Sequence, residues 1–219
     1  MTDTHWISNP LLAPSELALL HGEHLAPKGS LLDKTPLLHV DGDVSAKHLA
    51  RTLLAIAVLA NEQASVIRLE ARQKSALLGL AKSQALYAEP DGAAPVWPAH
   101  SLEAQLPALL APLCAKKQNE AQTLVHALLQ HDVDNPWQTL VERVKAGLAQ
   151  RGLLQAVVVG KKTQYTLPPS TAELASRQPI APLQQWLAAA ERSRPDLFKL
   201  LAAQIESGLK RRVSQSTSV

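Results

Sequence analysis

Residues 135–169 read NPWQTLVERVKAGLAQRGLLQAVVVGKKTQYTLPP, and this stretch decides the fold. Asp134 or Asn135 offers an oxygen to cap a helix, and Pro136 takes the first helical position, where its missing N–H costs nothing. Trp137, Leu140, Val141, Val144 and Leu148 recur at helical spacing and define one apolar face. Glu142, Arg143, Lys145 and Gln150 fall mostly on the other side. Gly152 can take the left-handed conformation that ends a helix. Leu153 to Val159 is rich in β-branched residues and suits a strand. Gly160, Lys161 and Lys162 make a turn, Thr163 to Leu167 returns with Tyr165 as its aromatic, and Pro168-Pro169 stops it. Helix, glycine stop and hairpin fit a winged-helix unit. They fit equally a helical bundle carrying one hairpin.

Outward from this unit the chain alternates helices with punctuation. On the N-terminal side, residues 1–13 read as an arm, and Pro14-Ser15-Glu16 opens a short helix through Leu20. Residues 22–43 are a loop in which Leu31-Leu32 and Leu37-Leu38 are expected to tuck inward. Ser45 caps a helix to about Ala60 that is apolar nearly all round, which predicts a central position. Asn61-Glu62-Gln63 reads as a turn, and Ser65 to Arg72 alternates as a half-buried strand. Lys74 to Leu80 reads as helix or loop, Ala85 to Ala88 as a strand, and residues 90–98 as a proline- and glycine-rich break. Ser101 caps a helix containing Pro107, and Gln118 to His131 forms another. Beyond the hairpin, a short helix or loop is expected at 170–176, and helices at 182–192 and from Pro195 to Lys210-Arg211-Arg212. The whole reads as a mainly α domain over residues 14–213 with one or two β-hairpins, followed by a polar tail at 214–219.

Composition agrees. The chain has 219 residues, 46% hydrophobic but only 3% aromatic, so its core must be Leu, Ala and Val, which favours helices. A net charge of +3 from 22 basic and 19 acidic residues does not single out nucleic acid. The single Cys114 excludes an internal disulfide and a cysteine metal cluster, and suits a reducing compartment. The first residues carry Asp3 and no long apolar run, so no signal peptide is expected. The longest apolar run, Leu53 to Ala60, falls far short of the ~20 residues that span a bilayer. A cytoplasmic protein is expected, able to meet a membrane only at its surface.

Motifs for chemistry are sparse. The chain contains no G-x-S-x-G elbow, no G-x-x-x-x-G-K-[ST] phosphate loop and no G-x-G-x-x-G. His21-Gly22-Glu23-His24 clusters two imidazoles and a carboxylate, but a spacing of three broken by glycine is not the HExxH spacing, so exposed loop histidines are expected. His126 and His131 lie five apart and diverge on a helix. Cys114 lies among Leu110, Pro112 and Leu113 and reads as packed. No catalytic residue, metal or cofactor is expected. The basic features are Lys161-Lys162 at the hairpin turn and Lys210-Arg211-Arg212 at a helix end.

PSELALL, ARTLLAIAVLANEQASVIRLEA, KSALLGLAKSQALYAEPDGAAPVWPAHSLEAQL, LVERVKAGLAQRGLL and TQYTLPPSTAELASRQ follow one another in an order that resembles the Golgi phosphoprotein 3 family. The resemblance implies a helical single domain with β-hairpins. It also implies peripheral membrane binding through phosphatidylinositol 4-phosphate and an adaptor role. The family's lipid pocket uses a Trp and several Arg; here GSLLDKTP has no Trp, Asn61-Glu62-Gln63 replaces an Arg-Gly-Arg, and Arg143 alone has a counterpart in LVERVKAGLAQRGLL. The leading expectation is a non-enzymatic membrane-surface or adaptor protein contacting anionic headgroups, or a protein partner, through Arg143, Lys161 and Lys162. The alternative is a winged-helix nucleic-acid-binding regulator with Lys161-Lys162 as its wing.

Overall fold

The apolar run at Leu53 to Ala60 is buried at every position but Ala55. A computed structural model describes residues 11–76, 81–93, 97–129, 133–160 and 162–210. The arm up to Pro10, residues 77–80 and 94–96, His131, Lys161, Arg211-Arg212 and the polar tail lie outside them.

The elements run α1 (Pro14–Leu20), a 3-10 turn (Gly22–His24), β1 (Thr35–Pro36), β2 (Asp43–Val44), α2 (Ala46–Gln63), β3 (Ile67–Ala76) and β4 (Ala81–Pro90). They continue as α3 (Leu102–Ala115), α4 (Ala121–Leu129), α5 (Pro136–Gln150), β5 (Gln155–Val159) and β6 (Lys162–Thr166). The last three are α6 (Pro169–Ser176), α7 (Ala181–Ser193) and α8 (Pro195–Lys210). Each sheet is a two-stranded antiparallel pair, so the protein is mainly α with small hairpins.

α2 packs against α1, α3, α5 and α8 and buries Leu49, Leu53, Leu54, Ile56 and Leu59. Ser45 caps it, its Oγ accepting from His48 N at 3.0 Å. The expected turn at Asn61-Glu62-Gln63 is instead the last turn of this helix. The buried Asn61 amide donates to Ala57 O at 2.9 Å and to Glu103 O at 3.0 Å, while its Oδ1 accepts Trp97 Nε1 at 2.8 Å. Those tertiary bonds hold a turn-prone residue in helical conformation.

α5 forms as its caps dictate, with Asn135 Oδ1 accepting Gln138 N at 3.1 Å and Gly152 following at φ +73°. It buries Leu140, Val141, Val144 and Leu148, but Lys145, expected on the polar side, is buried as well. β3 and β4 pair over their whole length, from Ile67↔Pro90 to Ala76↔Ala81, so the expected helix or loop at Lys74 begins as strand. Ile67, Leu69, Leu86 and Ala88 face the core, and Arg72 bonds Glu70 and Glu89 on the solvent side at 2.7 and 2.8 Å.

Candidate functional site

The hairpin β5–β6 stands out from the core. Val159 pairs with Lys162, leaving a two-residue loop that Gly160 enters at φ +63°. Every residue of β5 is exposed, and on β6 only Tyr165 is half-buried. Neighbouring strand residues point to opposite faces. Exposure of Val157, Val158 and Val159 together therefore means that both faces of the tip are uncovered, with Val158 at 74%. The hairpin is rooted by Leu154 in the core and by Tyr165 packed against it.

A second apolar tip rises from the loop before α2. Ser30 N donates to Asp33 O at 3.0 Å and Asp33 N to Ser30 O at 3.3 Å, which turns the chain at Leu31-Leu32. These leucines do not tuck inward; they are 86% and 92% exposed. The turn is braced from behind, since the Asp33 carboxylate accepts from Ser45 Oγ at 2.5 Å and from Lys47 N at 2.8 Å. Gly29 permits the closure, because a Cβ there would lie 2.6 Å from Lys34 Cβ and 2.9 Å from Val44 O.

Between the segment that follows the Leu31-Leu32 turn and strand β6, the partner of β5, lies a cleft of about 820 Å³. Lys34, Pro36, Leu37 and Leu38 form one wall, Gln138, Glu142 and Lys145 of α5 the floor, and Lys162 to Thr166 the other wall. Glu142 accepts from Gln138 Nε2 at 2.9 Å and from Lys145 Nζ at 3.1 Å, and Lys145 also reaches Thr35 Oγ1 at 3.4 Å. The floor's charges are thus mutually paired. Burial, and then the Glu142 carboxylate, push the Tyr165 phenol above its ordinary value. Lys34 pairs with Asp43 at 3.4 Å, whereas exposed Lys28 and Lys162 have no ion pair among the described residues.

The structure separates the residues singled out in the sequence. Lys162 lines the cleft, and Lys161 lies outside the described residues. Arg143, one position beyond Glu142, turns away toward α3, where its Nε donates to Gln105 Oε1 at 2.6 Å. Partial burial holds its guanidinium pKa below the ordinary value. The elements missed in the sequence are the Leu31-Leu32 tip and the Glu142–Lys145 pair. A signal for the first was present: SLLD between Gly29 and Lys34 is turn chemistry enclosing two leucines. No family model, curated protein or solved structure matches this chain.

Proposed function

We propose that the chain is a non-enzymatic peripheral membrane-surface or adaptor protein of the kind its resemblance to the Golgi phosphoprotein 3 family implies. Its docking face is the pair of apolar tips. One observation carries this reading: Leu31-Leu32 and Val157–Val159 stand in water on a turn and a hairpin whose neighbouring residues, Lys34 and Lys162 among them, line a single cleft. Contiguous exposed apolar side chains mark a surface that something covers. Withdrawing a Leu or Val fully from water is worth ~1.5–3 kcal/mol. A lysine near an anionic leaflet adds ~1 kcal/mol. Several such insertions with a few lysines support reversible membrane docking. A cytoplasmic location belongs to the same reading, and the headgroup contacts fall to Lys162 and Lys161 rather than to Arg143.

The nucleic-acid alternative, with the hairpin as a wing, has less support. The α5 residues beside the hairpin are Gln138, Glu142 and an already paired Lys145, which is poor equipment for phosphates.

Vesicle co-sedimentation tests the proposal. The protein should pellet with phosphatidylcholine vesicles containing phosphatidylserine or phosphatidylinositol 4-phosphate, more than with phosphatidylcholine alone, and salt should release it. The double variant Leu31→Ser with Val158→Ser should bind about tenfold more weakly, one decade corresponding to ~1.4 kcal/mol, with its thermal unfolding unchanged. No preference for anionic vesicles, or full binding by the double variant, would remove this reading. Heparin retention with a salt-dependent gel shift would put the winged-helix reading in its place.

A further inference from the structure

On the 3-10 turn that follows α1, His21, Glu23 and His24 bring ligand-type atoms within 4.8 Å of one another. The sequence spacing argued against this, because three residues apart is a poor fit to an α-helical metal face. In a 3-10 turn, however, positions i and i+3 eclipse. Gly22–His24 is such a turn, and the His21 and His24 rings stand 6.2 Å apart, tilted by 31°. His39, from the loop between β1 and β2, brings a third ring to 6.4 Å from His21.

The distances and partners of these atoms suit a metal site. His21 is 9% exposed, and its Nε2 lies 3.3 Å from the carbonyl of Ala175 on α6. With Nε2–H donating to that carbonyl, the Nδ1 lone pair is left for a ligand; a backbone carbonyl on the far nitrogen is the usual partner of a metal-bound imidazole. Glu23 Oε1 lies 3.5 Å from His24 Nε2. That is close to the separation of two ligand atoms sharing a zinc at ~2 Å from each. Glu23 Oε2 is removed from solvent and has no hydrogen-bond partner among the described residues. An orphaned acceptor of this kind is costly unless something satisfies it. A packed core histidine beside a surface ion pair accounts for His21 and His24 but leaves that oxygen unexplained.

We propose that His21, Glu23 and His24 form a binding site for a divalent transition metal, Zn²⁺ by the chemistry of imidazole and carboxylate donors, with water completing the coordination. The metal would tie the two ends of the 3-10 turn to each other, and through the His21 bond to Ala175 it would hold that turn against α6. It would act as a clamp on the scaffold. The inference does not depend on the membrane reading.

The test is Zn²⁺ titration of the full chain, stripped with chelator, against a chromophoric competitor, with histidine ring resonances followed by NMR. One Zn²⁺ per chain should bind and shift the His21 and His24 resonances but not those of exposed His48 and His100. Glu23→Gln and His24→Ala should each weaken binding at least ~10-fold, and His48→Ala should not. Both substituted side chains leave the core intact; the NMR on the unsubstituted chain stands should either variant misfold. Absence of stoichiometric Zn²⁺ binding, or ring shifts elsewhere than His21 and His24, would overturn the proposal. Binding that survives Glu23→Gln and His24→Ala together would do the same.

Discussion

At the scale of single residues, the decisive feature of the interior is a pair of carboxyls. Glu16 of α1 and Glu103 of α3 are both fully buried. Glu103 accepts from Ser15 N and Ser15 Oγ, each at 2.7 Å. Glu16 accepts from Ala13 N at 2.8 Å and bonds Arg151. Burial raises both, and it lifts Glu103 from 4.5 to about 7 against the pull of its Ser15 bonds. A carboxyl whose folded pKa exceeds its unfolded value takes its proton first in the folded chain. Its effect on stability is therefore most favourable below pH 4.5 and worsens as pH climbs toward about 7. For Glu103 the span is at most about 3 kcal/mol. The Glu103→Gln variant, whose amide can still accept from Ser15 N and donate to Ser15 Oγ, should lose this part of the pH dependence. Urea unfolding at pH 5 and pH 8 checks it: the original chain should lose more stability between the two than the variant. Equal losses would place the Glu103 charge elsewhere than in this account.

At the scale of elements, packing distance is set by glycine where helices touch. A Cβ on Gly208 of α8 would lie 2.5 Å from Gln122 O and 2.8 Å from Val125 Cβ on α4. Gly208→Ala should therefore cost about 1–3 kcal/mol by overpacking, despite the better helix propensity of alanine. A chemical unfolding curve with an unshifted midpoint would contradict that. The same scale shows what the sequence made legible. α5 and its neighbours are written in caps and periodicity, since Asn135, Pro136 and Gly152 act within their own turns. The last turn of α2 is not written locally, because Asn61 is held by Glu103 and Trp97 from elsewhere in the chain. β3 runs on past Lys74 because β4 lies in register opposite it. The candidate site was legible only as Lys162 and the hairpin. Its other tip was misread because leucines usually go inside, and only the hydrogen-bonded turn at Ser30 and Asp33 turns this pair outward.

At the scale of the whole molecule, one core built mainly of leucine runs from Leu12 to Leu209 and leaves few large apolar side chains outside. Among the described residues, the most exposed of them, Leu32, Leu31 and Val158, sit on the two tips, while Leu11 is as exposed as Val159 at 52%. A body so thorough in burying leucine elsewhere leaves its three most exposed large apolar side chains on two tips. That concentration is the central claim, and surface docking is its consequence. The direct measurement places an environment-sensitive fluorophore on Leu31→Cys or Val158→Cys in a Cys114→Ser background and adds anionic vesicles. Ala203→Cys, exposed in a different groove beside Ala71 and Gln84, is the reference position. The account predicts a blue shift and a rise in emission at both tips and none at the reference. Emission unchanged at the tips, or changed equally at all three positions, would contradict it.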